Sequence, residues 1–304
     1  MEIKLKPLGE QVIVITGASS GIGLATAEAA AEAGAKLVLA ARSGDTLAEL
    51  GARLGTGGCQ VITVTVDVAS SGAAEEIASA AIARFGGIDT WINDAAVSIY
   101  GRLDEVSEDD ARRLFDVNFW GVVQGSLVAL RHLRTGGGGA LINLGSEVSE
   151  AVVPLQGYYS ASKHAVKGFT DALRVEVQEL DRAPISITLI QPTAVDTPFP
   201  HHARNYMDRE PKLPTPMIAP EKVAAAILDA ATDPTREVKV GAVSKLNTTL
   251  AKLMPNLAKK LEAKQADRQQ LDEPPRDAEG TLRKPGESGQ KRGGGAGAPA
   301  PSHR

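Results

Sequence analysis

The sequence has little cysteine and no long run of apolar residues. Its single cysteine in 304 residues, Cys59, excludes an internal disulfide and any CxxC pair for zinc or redox chemistry. Cys59 opens the apolar stretch CQVITVTVDV, where a buried and inert thiol is expected. No apolar run reaches the roughly 18 residues of a membrane-spanning helix, and MEIKLKPLGEQ does not have the pattern of a secretory signal. We therefore expect a cytoplasmic protein.

Positive charge is scarce in the first 241 residues. They carry 21 Lys and Arg against 30 Asp and Glu, a net charge of −9, whereas residues 242–304 carry 12 against 7, a net charge of +5. An acidic body argues against nucleic-acid binding. With 43% hydrophobic side chains, the chain is long enough for one α/β domain of about 250 residues and a separate C-terminal segment.

The first 240 residues alternate between strand-like and helix-like stretches. The strand-like runs are continuously apolar, as is typical of strands buried on both faces. They are QVIVIT, KLVLAA, QVITVTVD, IDTWIN, ALINLG, ISITLIQ and REVKVG. Helices are expected at 21–33, 45–54, 71–85, 107–134, 157–180 and 221–232. Repeated βαβ units predict an α/β protein with one doubly wound parallel sheet, the Rossmann fold, over residues 8–241.

The C-terminal segment has a different character. Leucines at intervals of three or four within 245–264, with five lysines and one glutamate, predict a basic amphipathic helical extension over 242–264. Docking on the body or on a second subunit is favoured because the stripe lacks Trp and Phe, and peripheral contact with an anionic membrane is the alternative. Residues 265–304 are rich in proline, glycine and charge, and we predict that they are disordered.

A glycine-rich turn follows the first strand. The segment TGASSGIG, residues 16–23, leads directly into a helix, so its amide groups and the positive helix end can bind a pyrophosphate. A simple strand-to-helix turn is less favoured, because the first βα junction is where this fold binds dinucleotides. The loop residues expected at the cofactor are Gly17, Ser19, Ser20, Gly21, Ile22 and Gly23.

The residue after the second strand distinguishes NAD from NADP. An acidic residue there would bind the adenosine ribose and indicate NAD, but the sequence reads LVLAARSG, with Ala41 at that position and Arg42 next. Arg42 can pair with a 2′-phosphate and stack on adenine, and Ser43 is a further donor. A solvated loop arginine is the alternative. The pattern favours NADP (NADPH).

Two adjacent tyrosines precede a lysine in YYSASK, residues 158–163. A helix turns by about 100° per residue, so Tyr159 and Lys163 lie about 40° apart while Tyr158 and Lys163 lie about 140° apart. Only Tyr159 can share a site with the lysine ammonium.

With these residues in view, roughly residues 8–240 resemble the short-chain dehydrogenase/reductase family. The family pattern has TGxxxGxG after strand one, an acidic residue closing strand three, NNAG closing strand four, an asparagine on the next helix, a serine after strand five, and YxxxK thirteen residues later. The matching residues are Thr16 to Gly23, Asp67, Asn93, Asn118, Ser146, Tyr159 and Lys163. The resemblance implies an NADP-dependent oxidoreductase for a small-molecule ketone, aldehyde or secondary alcohol, which forms a homodimer or homotetramer and needs no metal.

The resemblance also implies catalytic roles. Tyr159 would be the acid that protonates the oxygen as hydride is transferred. From about 4 Å, the Lys163 charge would lower the tyrosine pKa by roughly three before desolvation opposes it. Ser146 would hold the substrate oxygen, and Asn118 would anchor a water that connects Lys163 to solvent. Taken singly, the serine could be a strand-end cap, the asparagine a locally bonded helix residue, and the Tyr-Lys pair a surface contact.

Further cofactor contacts are implied by the same comparison. Asp67 and Val68 would meet the adenine, Lys163 the nicotinamide ribose, and Val195 and Thr197 the carboxamide, while Asn93 belongs to the matching NNAG segment. The chain departs from the pattern with Asp94 and Ala96 in NDAA and with Thr193 in place of the glycine of PG. We expect these departures to alter cofactor fit or substrate range.

Substrate walls are expected from 94–102, 147–158 and 197–218, beyond the carboxyl ends of the strands. A solvated position is slightly favoured for Glu147, and a surface position is favoured for Arg204 over recognition of an acidic substrate. His201 and His202 lack a third metal ligand at a recognisable spacing.

A function of another class is also open to this fold. A nucleotide-sensing or scaffold protein could act through the C-terminal extension. The presence of Asn118, Ser146, Tyr159 and Lys163 together favours the enzyme.

Overall fold

A seven-stranded parallel sheet forms the centre of the protein. The computed structural model describes residues 3–241, 269–286 and 289–293. The strands are β1 Val12–Thr16, β2 Lys36–Ala41, β3 Val61–Thr65, β4 Thr90–Asn93, β5 Ile99–Tyr100, β6 Gly139–Leu144, β7 Ile185–Pro192, β8 Arg204–Asn205 and β9 Glu237–Val240. The main sheet has the order β3-β2-β1-β4-β6-β7-β9, and β5 pairs with β8 in a separate parallel pair. The predicted doubly wound sheet is confirmed.

Helices cover both faces of the sheet. They are α1 Gly21–Glu32, α2 Gly44–Thr56, α3 Ala73–Phe85, α4 Glu108–Phe115, α5 Gly121–Thr135, α6 Gly157–Arg174 and α7 Pro220–Ala230. Along β1, Ile13 and Ile15 pack in the core on the side of α1, α2 and α7, whereas Val12 and Val14 pack on the side of α3 and α5. Because both faces are buried, every residue of β1 is apolar except its last, as a parallel sheet requires.

The predicted helix at 107–134 contains a widened turn. A π-helical segment, Asp116–Trp120, joins α4 to α5, and a second one, Val175–Leu180, continues α6. Ser107 caps α4 by accepting a hydrogen bond of 3.2 Å from the amide of Asp110. Single π turns inside α-helices often occur at functional sites, and this one contains Asn118.

Residues 269–286 and 289–293, which we call the C-terminal strap, lie against the α/β body formed by residues 3–241. Main-chain hydrogen bonds join Thr281 to His202 at 2.8 Å and Asn205 to Ala278 at 2.9 Å, and the side chain of Leu282 is buried. The prediction of disorder from residue 265 onward is therefore wrong for these residues. The segment has few apolar side chains to bury, but its main-chain hydrogen bonds to the body do not depend on composition.

Other C-terminal expectations lie outside the described residues. These are the helical extension at 242–264, its membrane alternative, and the disorder predicted for 265–268 and 294–304. Within the part of the chain that the structure describes, no helix is both long enough and apolar enough to cross a membrane.

Candidate active site

The glycine-rich loop lies at the carboxyl end of β1. Gly17 has φ +74°, and a side chain there would place its Cβ 2.8 Å from the Cα of Ala95. A Cβ at Gly23 would lie 2.3 Å from the carbonyl oxygen of Gly17. Both positions therefore require glycine, since the loop is packed directly against the end of β4 and against itself.

One cavity, with a volume of about 230 Å³, connects this loop with the predicted catalytic residues. Its lining includes most of the predicted site. These residues are Gly17, Ser19, Ser20, Gly21, Ile22, Arg42, Ser43, Asp67, Val68, Ser146, Tyr159, Lys163, Val195 and Thr197. Three predicted site residues, Gly23, Asn93 and Asn118, lie behind the wall instead of in it. The parallel sheet explains the convergence, because its strands all end at this edge.

Tyr159 and Lys163 project from the same face of α6, as the helical spacing predicts. The Lys163 ammonium lies 5.7 Å from the centre of the Tyr159 ring and donates a 2.8 Å hydrogen bond to the carbonyl oxygen of Leu144. Tyr158 points elsewhere, and its hydroxyl donates to the carbonyl oxygen of Leu103 at 3.3 Å. The structure thus pairs Lys163 with Tyr159 and leaves Tyr158 outside the cavity.

The pKa of Tyr159 does not follow the sequence-based expectation. Burial raises it above its ordinary value, and a hydrogen bond from Ser146 opposes this rise, while the charges of Asp94 and Glu147 add to it. Lys163 is buried as well, and burial lowers its pKa to about 8. Desolvation of the phenol, which opposes the lowering expected from the lysine, is the largest influence on the Tyr159 pKa.

Asn118 is buried next to the cavity but does not line it. Its side chain accepts a 2.8 Å hydrogen bond from the Val97 amide and donates to the Val97 carbonyl oxygen at 2.9 Å and to Ser162 Oγ at 3.1 Å. These contacts fix the loop after β4 against α6, which carries Tyr159. The π-helical turn directs the side chain inward.

Asn93 does not line the cavity, which argues against its predicted contact with the cofactor. Its Oδ1 accepts a hydrogen bond of 2.8 Å from Trp91 Nε1, and its Nδ2 donates to Asn143 Oδ1 at 2.8 Å and to Ser126 Oγ at 3.2 Å. Asn93 and Asn143 are partners in the register of β4 and β6. The side chain therefore completes a buried polar network beneath the sheet edge, where every one of its polar atoms is engaged.

Asp94 lies between the glycine-rich loop and the predicted catalytic residues. It lines the cavity, and the Gly23 amide donates a hydrogen bond to its carboxyl group. Burial raises the Asp94 pKa to about 7, although the Lys163 charge and the Gly23 hydrogen bond oppose that shift. The NDAA segment thus places a second titratable group next to Lys163.

Glu147 also lines the cavity, contrary to the slight preference for a solvated position. Its Oε2 accepts a 3.2 Å hydrogen bond from Thr193 Oγ1. Thr193 is the residue that replaces the family glycine, so two unusual residues of this chain contact each other in the cavity wall. This pairing was invisible in the sequence, because the two residues are 46 positions apart.

The end of the cavity near β2 and β3 carries opposite charges. Asp67 accepts a hydrogen bond from Arg113 and another, at 3.1 Å, from the Ala69 amide. Arg42 donates to the carbonyl oxygens of Thr281 and Leu282 in the C-terminal strap, and burial lowers its pKa. Arg42 is thus in the predicted cofactor region, with strap carbonyls as its hydrogen-bond partners.

His201, His202 and Arg204 contact other parts of the protein. His201 Nδ1 lies 2.9 Å from Glu210 Oε1, and burial lowers the pKa of His202 to about 4, so His202 is neutral at pH 7. Arg204 bonds to Asp110 at 3.1 Å and to Glu279 at 2.7 Å and is absent from the cavity lining. The described residues contain no cluster of three potential metal ligands, and Arg204 is not placed to recognise a substrate.

The C-terminal strap contributes to the cavity wall, which the sequence pattern did not predict. Thr281, Pro285 and Gly286 line the cavity together with Phe199 and His202 of the predicted substrate wall at 197–218. The only local signal was Leu282, an isolated apolar residue in a segment rich in charge and proline.

Comparisons with known proteins agree with this geometry. The family model described as short chain dehydrogenase matches residues 11–207. The uncharacterized oxidoreductase YxnA of Bacillus subtilis is 46% identical over 263 residues, which cover 86% of this chain and 73% of that protein. The chain therefore belongs to the short-chain dehydrogenase family of oxidoreductases.

Solved structures of the family are similar in fold. A short chain dehydrogenase/reductase from Burkholderia phymatum in complex with NAD matches with a TM-score of 0.75 and 27% identity, covering 83% of this chain and 96% of that one. An alcohol dehydrogenase from Thermococcus sibiricus, complexed with 5-hydroxy-NADP, matches with a TM-score of 0.66 and 28% identity over 77% of this chain and 97% of that one. These neighbours support a nicotinamide cofactor and differ in which one they hold.

Proposed function

We propose that the protein is an NADP(H)-dependent oxidoreductase that interconverts a ketone or aldehyde and the corresponding alcohol. One observation carries the proposal: Ser146, Tyr159 and Lys163 line the same cavity as the glycine-rich loop. A loop that binds pyrophosphate and a buried phenol that can give a proton are the two parts that such a reaction needs.

The residues of the cavity fit a nicotinamide dinucleotide. Gly17 and Gly23 keep the loop free of side chains, and the first amides of α1 follow directly. The cofactor supplies or accepts the hydride. Arg42 and Ser43, with Ala41 in place of an acid, support NADP, since a guanidinium and a hydroxyl suit a 2′-phosphate.

The protein groups hold and move the proton. Ser146 hydrogen-bonds Tyr159 and can hold the substrate oxygen beside the phenol. The Tyr159 hydroxyl gives its proton to that oxygen as negative charge develops there, and the raised pKa keeps the phenol protonated until then. Lys163 stabilises the resulting phenolate, and Asn118 holds the segment that positions α6.

A spectroscopic screen tests the function. Ketones, aldehydes and secondary alcohols would be incubated with NADPH, NADH or their oxidised forms while absorbance of the reduced nicotinamide is followed. We expect turnover with NADPH to exceed turnover with NADH. Failure of both cofactors to bind or react would contradict the proposal. A homodimer or homotetramer and a cytoplasmic location stay predictions, and sedimentation would test the first.

A further inference from the structure

Three donors of the proposed cofactor site are bonded to one segment of the same chain. Arg42 donates to the carbonyl oxygens of Thr281 at 2.5 Å and Leu282 at 3.3 Å. Ser43 Oγ donates to the carbonyl oxygen of Gly286. The Gly21 amide, in the glycine-rich loop, donates to the carbonyl oxygen of Gln290 at 2.9 Å. The strap thus crosses the groove from the end of β2 to the start of α1.

Carbonyl and phosphate oxygens compete for such donors. Both are hydrogen-bond acceptors with negative charge on oxygen, and a donor directed at one has little capacity left for the other. The Gly21 amide would serve the pyrophosphate of any nicotinamide dinucleotide, whereas Arg42 and Ser43 would serve only a 2′-phosphate. Docking of the strap therefore affects NADP and NAD to different extents.

The strap is anchored on both sides of the groove. Leu282 is 1% exposed and packs in an apolar cluster with Leu114, while Arg283 pairs with Asp110 at 2.7 Å. Beyond the groove, Lys291 pairs with Glu28 at 2.6 Å and Arg292 pairs with Glu221 at 3.0 Å. Apolar burial and ion pairs at separate positions make the docked arrangement specific, although the exposed pairs add little free energy.

We propose that the C-terminal strap determines the dinucleotide selectivity of this site by occupying its phosphate donors. NADP(H) displaces the strap from Arg42, Ser43 and Gly21, whereas NAD(H) displaces it from Gly21 alone, and each dinucleotide gains the donors that it releases. The apparent affinity for each dinucleotide is its intrinsic affinity multiplied by the fraction of molecules in which the donors it needs are free. This inference rests on the proposed function, because it takes the groove to be a dinucleotide site.

Hydrogen exchange of the full chain tests the displacement directly. The Thr281 amide is protected by its 2.8 Å hydrogen bond to the His202 carbonyl oxygen when the strap is docked. Saturating NADPH should accelerate exchange in peptides that contain residues 281–290 and slow it in the glycine-rich loop. Unchanged or slower exchange of the strap, with the loop protected, would overturn the inference. Absence of loop protection by either dinucleotide would instead contradict the proposed function.

A matched pair of glycine variants tests the selectivity. Gly280 has φ +54°, and its added Cβ would lie 2.4 Å from the Ala203 carbonyl oxygen. Gly280→Ala should therefore displace the strap from the backbone of His202 and Ala203. Gly58 has φ +91° and no atom within 4 Å of its added Cβ, which makes Gly58→Ala a control with backbone strain alone. Binding to NADPH and NADH would be titrated for both variants.

Selectivity should change in the strap variant alone. Gly280→Ala should bind NADPH about 3- to 10-fold more tightly than the parent protein, with a smaller gain for NADH, because only NADPH uses Arg42 and Ser43. Gly58→Ala should leave the ratio of the two affinities unchanged. Equal or weaker NADPH binding by a folded Gly280→Ala protein would overturn the proposal. If that variant fails to fold, the exchange measurement on the parent protein decides.

Discussion

The Lys163 ammonium is 2.8 Å from the carbonyl oxygen of Leu144, the last residue of β6. This hydrogen bond fixes the lysine at the sheet edge beneath the cavity, 5.7 Å from the centre of the Tyr159 ring. The lysine is therefore placed to attract a developing phenolate while it remains tied to the sheet. Its position follows from two elements together, since neither α6 nor β6 alone would define it.

Replacing each tyrosine of the adjacent pair should separate their roles. Tyr159→Phe removes the proposed proton donor from the cavity and should reduce turnover by at least about 100-fold, within the usual range for general acid catalysis, while dinucleotide binding survives. Tyr158→Phe loses only its contact with the Leu103 carbonyl oxygen and should retain most activity. Steady-state rates and cofactor titration of both variants check this. An inactive Tyr158→Phe beside an active Tyr159→Phe would reverse the assignment.

Arg42 should control the preference between cofactors. Arg42→Ala removes one charge-assisted phosphate contact, which is expected to cost NADPH about 1.5–3 kcal/mol, or roughly one to two decades in affinity. NADH should lose much less affinity, or gain some, because the same change frees the strap. Arg42→Lys keeps the charge but loses the planar guanidinium, so its NADPH affinity should lie between those of the parent protein and Arg42→Ala. Equal losses for NADPH and NADH in a binding titration would remove Arg42 from the 2′-phosphate site.

Asp94 should make stability fall as pH rises. Its pKa of about 7 lies above the ordinary 3.8, so the unfolded chain loses this proton near pH 4 while the folded protein keeps it until about pH 7. Over that window the folded state binds more protons, and its stability relative to Asp94→Asn decreases with rising pH. Melting temperatures at pH 5 and pH 8 measure the difference.

The control for Asp94 is a carboxyl group outside the cavity. Asp233 is exposed, so Asp233→Asn is the matched removal of a carboxyl charge to be measured at the same two pH values. If parent protein and Asp94→Asn kept a constant difference in melting temperature from pH 5 to pH 8, the raised pKa of Asp94 would be ruled out.

Asn93 should prove structural instead of cofactor-binding. Asn93→Ala leaves buried groups of Trp91 and Asn143 without their partner, and each such group costs about 1–3 kcal/mol. Denaturant unfolding should therefore show a large loss of stability, whereas NADPH affinity of the folded variant should stay within about 3-fold of the parent. Ser126→Ala removes two longer hydrogen bonds, 3.2 Å with Asn93 and 3.3 Å with Asn143, and should cost less. A folded variant of normal stability that lost cofactor affinity would return Asn93 to the cofactor site.

The layers of the fold and the order of the predicted catalytic residues could be read from the amino-acid sequence alone. Continuous β-branched runs are stable only when both faces are buried, so β1 and its neighbours could be located from local pattern alone. The spacing of Tyr159 and Lys163 likewise fixes their common face, because helical geometry depends only on residue number. Family resemblance supplied the partners Ser146 and Asn118, and the structure places the first in the cavity and the second behind it.

The tertiary structure decided how these residues are used. Packing places Asn93 in a buried polar network with Asn143 and brings Glu147 into contact with Thr193. Packing also buries Tyr159, and that burial raises its pKa. The C-terminal strap, a segment of polar composition, also lies along the cavity. Main-chain carbonyl oxygens, which every residue possesses, make the contacts to Gly21 and Arg42, and composition cannot show where they will bind.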